Sequence, residues 1–247
     1  PREQTVRAGR TTVPVTTRPS EPDKAQRSPG QPISIPYTTA ASEFLYGYSP
    51  VFAALKSGSR KLYKLYLHPR AYREMQWREA SAIEQTAKSA GLRIQKVGDD
   101  WLPTMDKMSS GRPHNGCILE ASPLPKLPVM AFSTVDTKAE KFAIELGAQS
   151  AEEEAVNGKS NALRYASHGW RYPFVLLLDG IVDPGNLGAI LRSAYFLGVD
   201  AVAIASRASA PLSPTALKAS SGAAEVVRIL SVEKPVPFLQ KSKEHGW

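Results

Sequence analysis

The chain has 247 residues, 42% of them hydrophobic, and 31 Lys and Arg against 23 Asp and Glu, for a formal charge of +8 and a pI near 9.5. That length allows one large or two modest domains with a real core, and the charge favours a polyanionic partner. The single cysteine, Cys117, excludes an intramolecular disulfide framework and any Cys-rich zinc site and fits a reducing compartment, and no window approaches the ~18 uninterrupted apolar residues of a membrane span.

Residues 1 to 36 hold no aromatic residue and are rich in Pro, Ser and Thr, with six Lys and Arg against three acidic residues. Too little apolar surface is available there to offset the cost of ordering, so residues 1–42 are read as a disordered basic tail. Its Arg-rich, acid-poor composition fits the remnant of a mitochondrial targeting region. The other reading is a plain basic tail that touches RNA or nothing.

Regular structure is expected from Glu43. "SEFLYGYSPVFAALKSG" reads as a short helix with Val51, Ala54 and Leu55 on its apolar side. "RKLYKLYLHP" alternates as a strand does, and "REMQWREASAIEQTAKSAG" is helical and closed by Gly91. "LRIQKVG" and "NGCILEASP" are two further strands, giving a small α/β unit over 43–123. This unit carries 12 basic and 8 acidic residues. Within it Arg60, Lys61 and Lys64 could hold phosphates, with Arg112 as a further RNA contact; an ordinary solvated strand edge is the competing reading.

Residues 124–172 balance their charges and read as a linker or insertion with some helix, Phe142, Ile144 and Leu146 being too sparse for a helical face. From Pro173 the pattern changes. "FVLLLDG" is a continuous apolar run, as in a parallel strand covered on both faces, and "NLGAILRSAYFLG" is a helix ended by Gly198. "VDAVAIAS" and "EVVRIL" are strands separated by the helix "SPTALKASSG", with Ser213 as N-cap and Pro214 in the first turn. A last helix begins at "PVPFLQKSKEHGW". Strand–helix alternation at this interval implies a parallel sheet.

The histidines, His68, His114, His168 and His245, match no metal-ligand spacing and read as solvated or structural, so no metal is expected. The turn "DGIVDPGNLG" lies at the carboxyl end of the first parallel strand, where open α/β sheets gather ligands. Asn186 can cap the helix that follows. Arg192 leans back over Ala189 and Gly188 toward the turn, with open space expected around its guanidinium. A solvent-facing Arg with Asn186 as a mere cap is the plainer alternative. A pyrophosphate-binding turn is a weaker one, because "DPGNLG" is not G-x-G-x-x-G.

The run "LLLDGIVDPGNLGAILRSAYFLGVDAVAI", followed by "ASAPLSPTALKASSGAAEVVRI", resembles the first signature block of the SpoU-type RNA 2′-O-ribose methyltransferases. "EFLYGYSPVFAALKSGSRKLYKLYL" and "HNGCILEASP" are similar to that family's ribosomal-protein-like α/β RNA-binding domain. The resemblance covers about two thirds of the chain, and with the basic tail it is nearest to the mitochondrial large-subunit rRNA ribose methyltransferases. It implies a SPOUT fold that is knotted when complete, a homodimer, S-adenosylmethionine as methyl donor, and a guanosine of the large-subunit ribosomal RNA as substrate in the mitochondrial matrix. Asn186 and Arg192 match the block's catalytic Asn and Arg. The family's G-x-E-x-x-G and S-L-N blocks, which form the knot and most cofactor contacts, are not in this sequence. Residues 173–247 are therefore expected to be the N-terminal part of a methyltransferase domain, with cofactor-binding residues unassigned and a sheet edge and apolar face left uncovered. A non-catalytic RNA-binding or ribosome-assembly protein is the alternative.

Overall fold

The computed structural model describes residues 34–74 and 77–247, which form one unit. Positions 1–33 of the basic tail, and with them most of the targeting reading, lie outside the described residues. Residues 34–42 pack onto the first sheet. Thr38 donates to the buried carboxylate of Glu120 through its backbone N–H and its hydroxyl, and Tyr37 sits 5.2 Å from the Phe44 ring.

The first sheet contains β1 (Glu43–Tyr46), β2 (Leu62–Leu67), β3 (Arg93–Lys96) and β4 (Cys117–Ala121) in the order β1-β4-β2-β3, antiparallel except for β2 beside β3. Between the strands lie α1 (Tyr48–Ser57), α2 (Ala71–Glu74), α3 (Trp77–Ser89) and α4 (Leu102–Met108). Val51, Ala54 and Leu55 recur at helical spacing and bury the expected face of α1; the strand β1 ahead of it escapes a helical reading of the same stretch. On β2 both faces are covered: Leu65 and Leu67 face one core, and Tyr66 joins Tyr46, Ile118 and Met105 in another.

The second sheet contains β5 (Leu127–Asp136), β6 (Lys141–Leu146), β7 (Ala162–Arg164), β8 (Val175–Leu178), β9 (Ala201–Ala205) and β10 (Arg228–Val232), in the order β7-β6-β5-β10-β9-β8. Strands β8, β9, β10 and β5 run parallel, as the strand–helix alternation requires, while β5, β6 and β7 form an antiparallel meander. The helices are α5 (Ala151–Asn157), α6 (Pro184–Phe196), α7 (Pro214–Ala219) and α8 (Pro235–Glu244). The stretch read as linker or insertion with some helix thus holds α5 and three strands of this sheet. Phe142 and Ile144 stand two apart and point the same way off β6 into a core with Phe132, Phe238 and Trp247. That is the period of a strand, not of a sparse helix.

β8 lies at the sheet edge, so the apolar run is covered less fully than a central parallel strand would be. Phe174, Val182, Phe196 and Leu197 are exposed beside it. On the other side of α6 a single core joins the two sheets. It runs from Leu45, Val51 and Leu65 to Leu187, Leu191 and Leu217.

Candidate active site at the carboxyl end of β8

The chain leaves β8 through Asp179 and Gly180 and enters α6 at Pro184. Asp183, in extended conformation, caps the helix: its carboxylate accepts the Asn186 backbone N–H at 2.6 Å. Such a cap contributes ~1 kcal/mol. The expectation that Asn186 is the cap is therefore corrected. Pro184 has no N–H to lose and takes the first helical position, so the cap falls one residue before it and Asn186 becomes the third helical residue. A second loop braces the turn. Ala210 N–H donates to the Ile181 carbonyl at 2.7 Å, and Ile181 N–H donates to Ser209 Oγ at 3.3 Å.

Asn186 and Arg192 are both exposed, and neither side chain has a hydrogen-bond partner among the described residues. They do not share a side of the helix. Six residues apart at ~100° and ~1.5 Å per residue, they leave α6 about 120° and about 9 Å from one another. Asn186 lines a largely apolar groove of about 560 Å³ with Asp183, Phe174, Leu176, Ile190 and Leu197, and Arg192 stands outside it. Nor is Gly188 empty space for the guanidinium. A Cβ there would lie 2.3 Å from the Ala216 carbonyl oxygen, so the missing side chain is what lets α7 cross α6.

At the opposite end of β8, Arg171 and Asp200 fix the strand. Arg171 Nη1 and Nη2 donate to the two carboxylate oxygens at 2.6 and 2.9 Å, and Asp200 also accepts the Phe174 and Ala166 backbone N–H groups. Burial acts to raise this carboxyl, but Arg171 and the two backbone donors outweigh it and hold Asp200 below the usual carboxylate range. Sequence reasoning assigned these residues no role.

The residues read as RNA contacts divide. Arg60 is turned inward, with 4% of its surface exposed, and is bound by Glu225 and Glu43; it does not reach solvent as a phosphate contact would. Lys61 is exposed, its ammonium 6.0 Å from the Tyr63 ring, and Lys64 is half-buried, 5.4 Å from the Tyr66 ring. Arg93 stands opposite Lys64 in the β2–β3 ladder and adds a basic group that the sequence reading left out. Arg112 is exposed in the loop before β4, near Tyr46, whose hydroxyl burial pushes up and Arg112 pulls down. The Lys218 ammonium of α7 lies 5.3 Å from the same ring and donates to the Pro113 carbonyl at 2.8 Å. Arg112 and Lys218, 106 positions apart, thus meet at one tyrosine. No local pattern could have paired them.

At the carboxyl ends of β9 and β10 a cavity of about 160 Å³ is lined by Ser206, Ser209, Ala210 and Lys126. Pockets that enclose a small molecule run from ~300 Å³ upward, so these residues fit one wall of a nucleoside-sized site and not its whole. Among the described residues no group of three or more His, Cys, Asp or Glu could hold a metal ion. His68 and His114 are buried instead, each with Nδ1 accepting a backbone N–H and Nε2 near Asp99 or Asp106.

Comparison with known proteins defines the class. Residues 173–247 match the SpoU rRNA Methylase family and residues 44–127 match the family described as RNA 2′-O ribose methyltransferase substrate binding. The chain is 30% identical over 206 residues to the 23S rRNA (guanosine-2′-O-)-methyltransferase RlmB of Yersinia pestis, covering 83% of this chain and 68% of that protein. The chain belongs to the SpoU rRNA methylase family. It is also 33% identical over 208 residues to the mitochondrial rRNA methyltransferase 1 of Saccharomyces cerevisiae, covering 83% of this chain but 46% of that protein. It spans 49% of the Homo sapiens protein of the same name, so it corresponds to about half the length of these relatives. The crystal structure of an rRNA methyltransferase from Sinorhizobium meliloti shares the fold, with a TM-score of 0.50 at 14% identity over 83% of this chain and 60% of that one. The α/β architecture expected from the sequence, a small mixed unit ahead of a parallel sheet, is the one found.

Proposed function

We propose that this chain is part of an enzyme that transfers a methyl group to the ribose 2′-oxygen of a guanosine in large-subunit ribosomal RNA, with S-adenosylmethionine as the donor. One observation carries the reading. The signature block folds as an edge strand, a capped turn and a helix, with Asn186 unpartnered at the carboxyl end of a parallel sheet and Arg192, also unpartnered, about 9 Å farther along the helix. The names of relatives in both mitochondria and bacteria support the same substrate class.

In the transfer the 2′-O–CH3 bond would form as the donor's S–CH3 bond breaks, S-adenosylhomocysteine would leave, and the 2′-hydroxyl proton would pass to water. Arg192 cannot take the proton, because a guanidinium does not deprotonate in this range. Its role is to hold a substrate phosphate and stabilise the developing 2′-alkoxide, an electrostatic contribution of ~3–4 kcal/mol in a dry site. Asn186, on the groove side of α6, orients the ribose. Lys61, Lys64 and Arg112 bind the RNA backbone, residues 43–123 serve as the substrate-binding domain, and residues 173–247 belong to the methyltransferase domain. A homodimer acting in the mitochondrial matrix completes the proposal.

Incubating the full-length protein that contains this chain with methyl-labelled S-adenosylmethionine and large-subunit ribosomal RNA, then digesting the RNA to nucleosides, tests it. Label in 2′-O-methylguanosine is the expected result. Label on a base, or binding of RNA without any transfer, would sink the reading in favour of another methylation or of an RNA-binding protein.

A further inference from the structure

Residues 213–227, "SPTALKASSGAAEVV", hold α7 and the 3-10 turn before β10, and they touch both halves of the chain. On one flank lies α6, whose Gly188 has no room for a Cβ against Ala216 and Ala219. On the other lies α1. Gly222, at a φ of +90°, would with a Cβ meet Ser49 O at 2.8 Å and Ala53 Cβ at 2.7 Å. Backbone meets backbone on both sides, and small residues make that possible.

Two polar contacts close the ends of this wedge. At one end Arg60, two residues before β2, donates from Nε and Nη2 to the two Glu225 oxygens at 2.9 Å each. Its Nη1 donates to Glu43 at 2.6 Å and to the Ser122 carbonyl at 2.8 Å. The Arg60 and Glu225 side chains are 0% and 1% exposed. Burial acts to lower the Arg60 guanidinium, but the carboxylates outweigh it and keep the group above its ordinary value. Burial pushes Glu225 up while Arg60 pulls it back, and a carboxylate accepting two guanidinium N–H bonds is the ionised form. At the other end Lys218 donates to Pro113 in the loop before β4.

Units joined within one chain ordinarily move relative to one another unless their interface is extensive and tightly packed. We propose that segment 213–227 is a rigid coupler, and that Arg60 and Glu225 are positioning residues that hold the β1–β4 unit at a fixed distance and orientation from Asn186 and Arg192. RNA bound on the first unit then reaches α6 as to one surface. Only that consequence rests on the methyltransferase reading.

The test is geometric and needs neither RNA nor methyl donor, so its failure is distinct from a failure of that reading. Nitroxide labels go on Gln85→Cys in α3 and Tyr195→Cys in α6, both exposed, and pulsed electron resonance reads their separation in the whole chain. Cys117 does not compete for label, being fully buried with its thiol pushed up to about 12. The wild-type background is expected to show one narrow distance, and Arg60→Met a second, longer population while circular dichroism stays folded. Glu225→Gln serves where Arg60→Met does not fold, and the wild-type distribution decides alone where neither does. Several separated distances in the wild type, or folded variants as narrow as the wild type, would overturn the coupler.

Discussion

Arg60 and Arg192 carry the same guanidinium in opposite surroundings. Around Arg60 four N–H bonds go to two carboxylates and a carbonyl, and the side chain is lost to solvent. Around Arg192 nothing within the described residues accepts a bond, and the side chain is exposed on a helix that other residues anchor. A basic group with four of its five N–H donors spent inside the fold serves position. One whose bonds are unspent, on an exposed face of the helix that leaves the carboxyl end of a parallel sheet, is available to a ligand.

Breaking the paired side of this contrast gives the largest stability change. Arg60→Met leaves Glu225 buried without its cation, and we expect a loss of ~3–5 kcal/mol in urea unfolding. A loss below about 1 kcal/mol, the range of an exposed pair, would mean that water reaches Glu225 and that the burial is not maintained. Gly188→Ala comes next. Its Cβ would overlap the Ala216 carbonyl and Ala219, so α6 must shift off α7 at a cost of ~1–3 kcal/mol. A thermal midpoint equal to wild type would show that the helix crossing yields freely.

A smaller effect sharpens the comparison with a third charged group. Glu84 accepts the Tyr72 hydroxyl and pairs with Lys88 at 2.9 Å and Lys96 at 3.2 Å. The Tyr72 bond first, then Lys88, bring its carboxyl from the usual 4.5 to about 2. A depressed carboxyl contributes stability that is present above its unfolded value and lost as pH falls through its folded one. Between about pH 4.5 and about 2 the wild type should therefore lose more stability than Glu84→Gln, as read from urea midpoints across that window. Parallel curves would remove Glu84 from the acid limb. The smallest effect belongs to the exposed lysines. Neutralising Lys61 and Lys64 together should weaken RNA binding evenly across sequences and flatten its log–log salt slope by ~1–2. An unchanged slope would place the phosphates on other groups, with Arg93, Arg112 and Lys218 next in line.

Much of the fold was legible because local chemistry decided it. Ser213 and Pro214 open α7 as a cap and first turn must, and the spacing of Leu187, Leu191 and Ala194 buries one face of α6. What failed were readings whose deciding partner is remote. Arg60, Lys61 and Lys64 look like one basic cluster until Glu225, 165 positions on, takes the first of them. Gly188 looked like clearance for Arg192 until α7 filled it. The alternation of Phe142 and Ile144 was in plain view, but too short to outweigh the surrounding charged, helix-forming residues. In the candidate site, the motif marked Asn186 and Arg192 as one constellation, although the helix already read from the sequence sets them about 120° apart around its axis.

The most direct test of the functional account is the methylation state of large-subunit ribosomal RNA in mitochondria from cells whose full-length protein carries Arg192→Ala. Nucleoside mass spectrometry would follow 2′-O-methylguanosine, with protein level and RNA association measured alongside. The account predicts that one 2′-O-methylguanosine falls ~10²–10³-fold in rate of formation while the protein stays folded and RNA-bound. Full methylation in the variant would contradict it and leave Arg192 as a solvated arginine on the surface of α6.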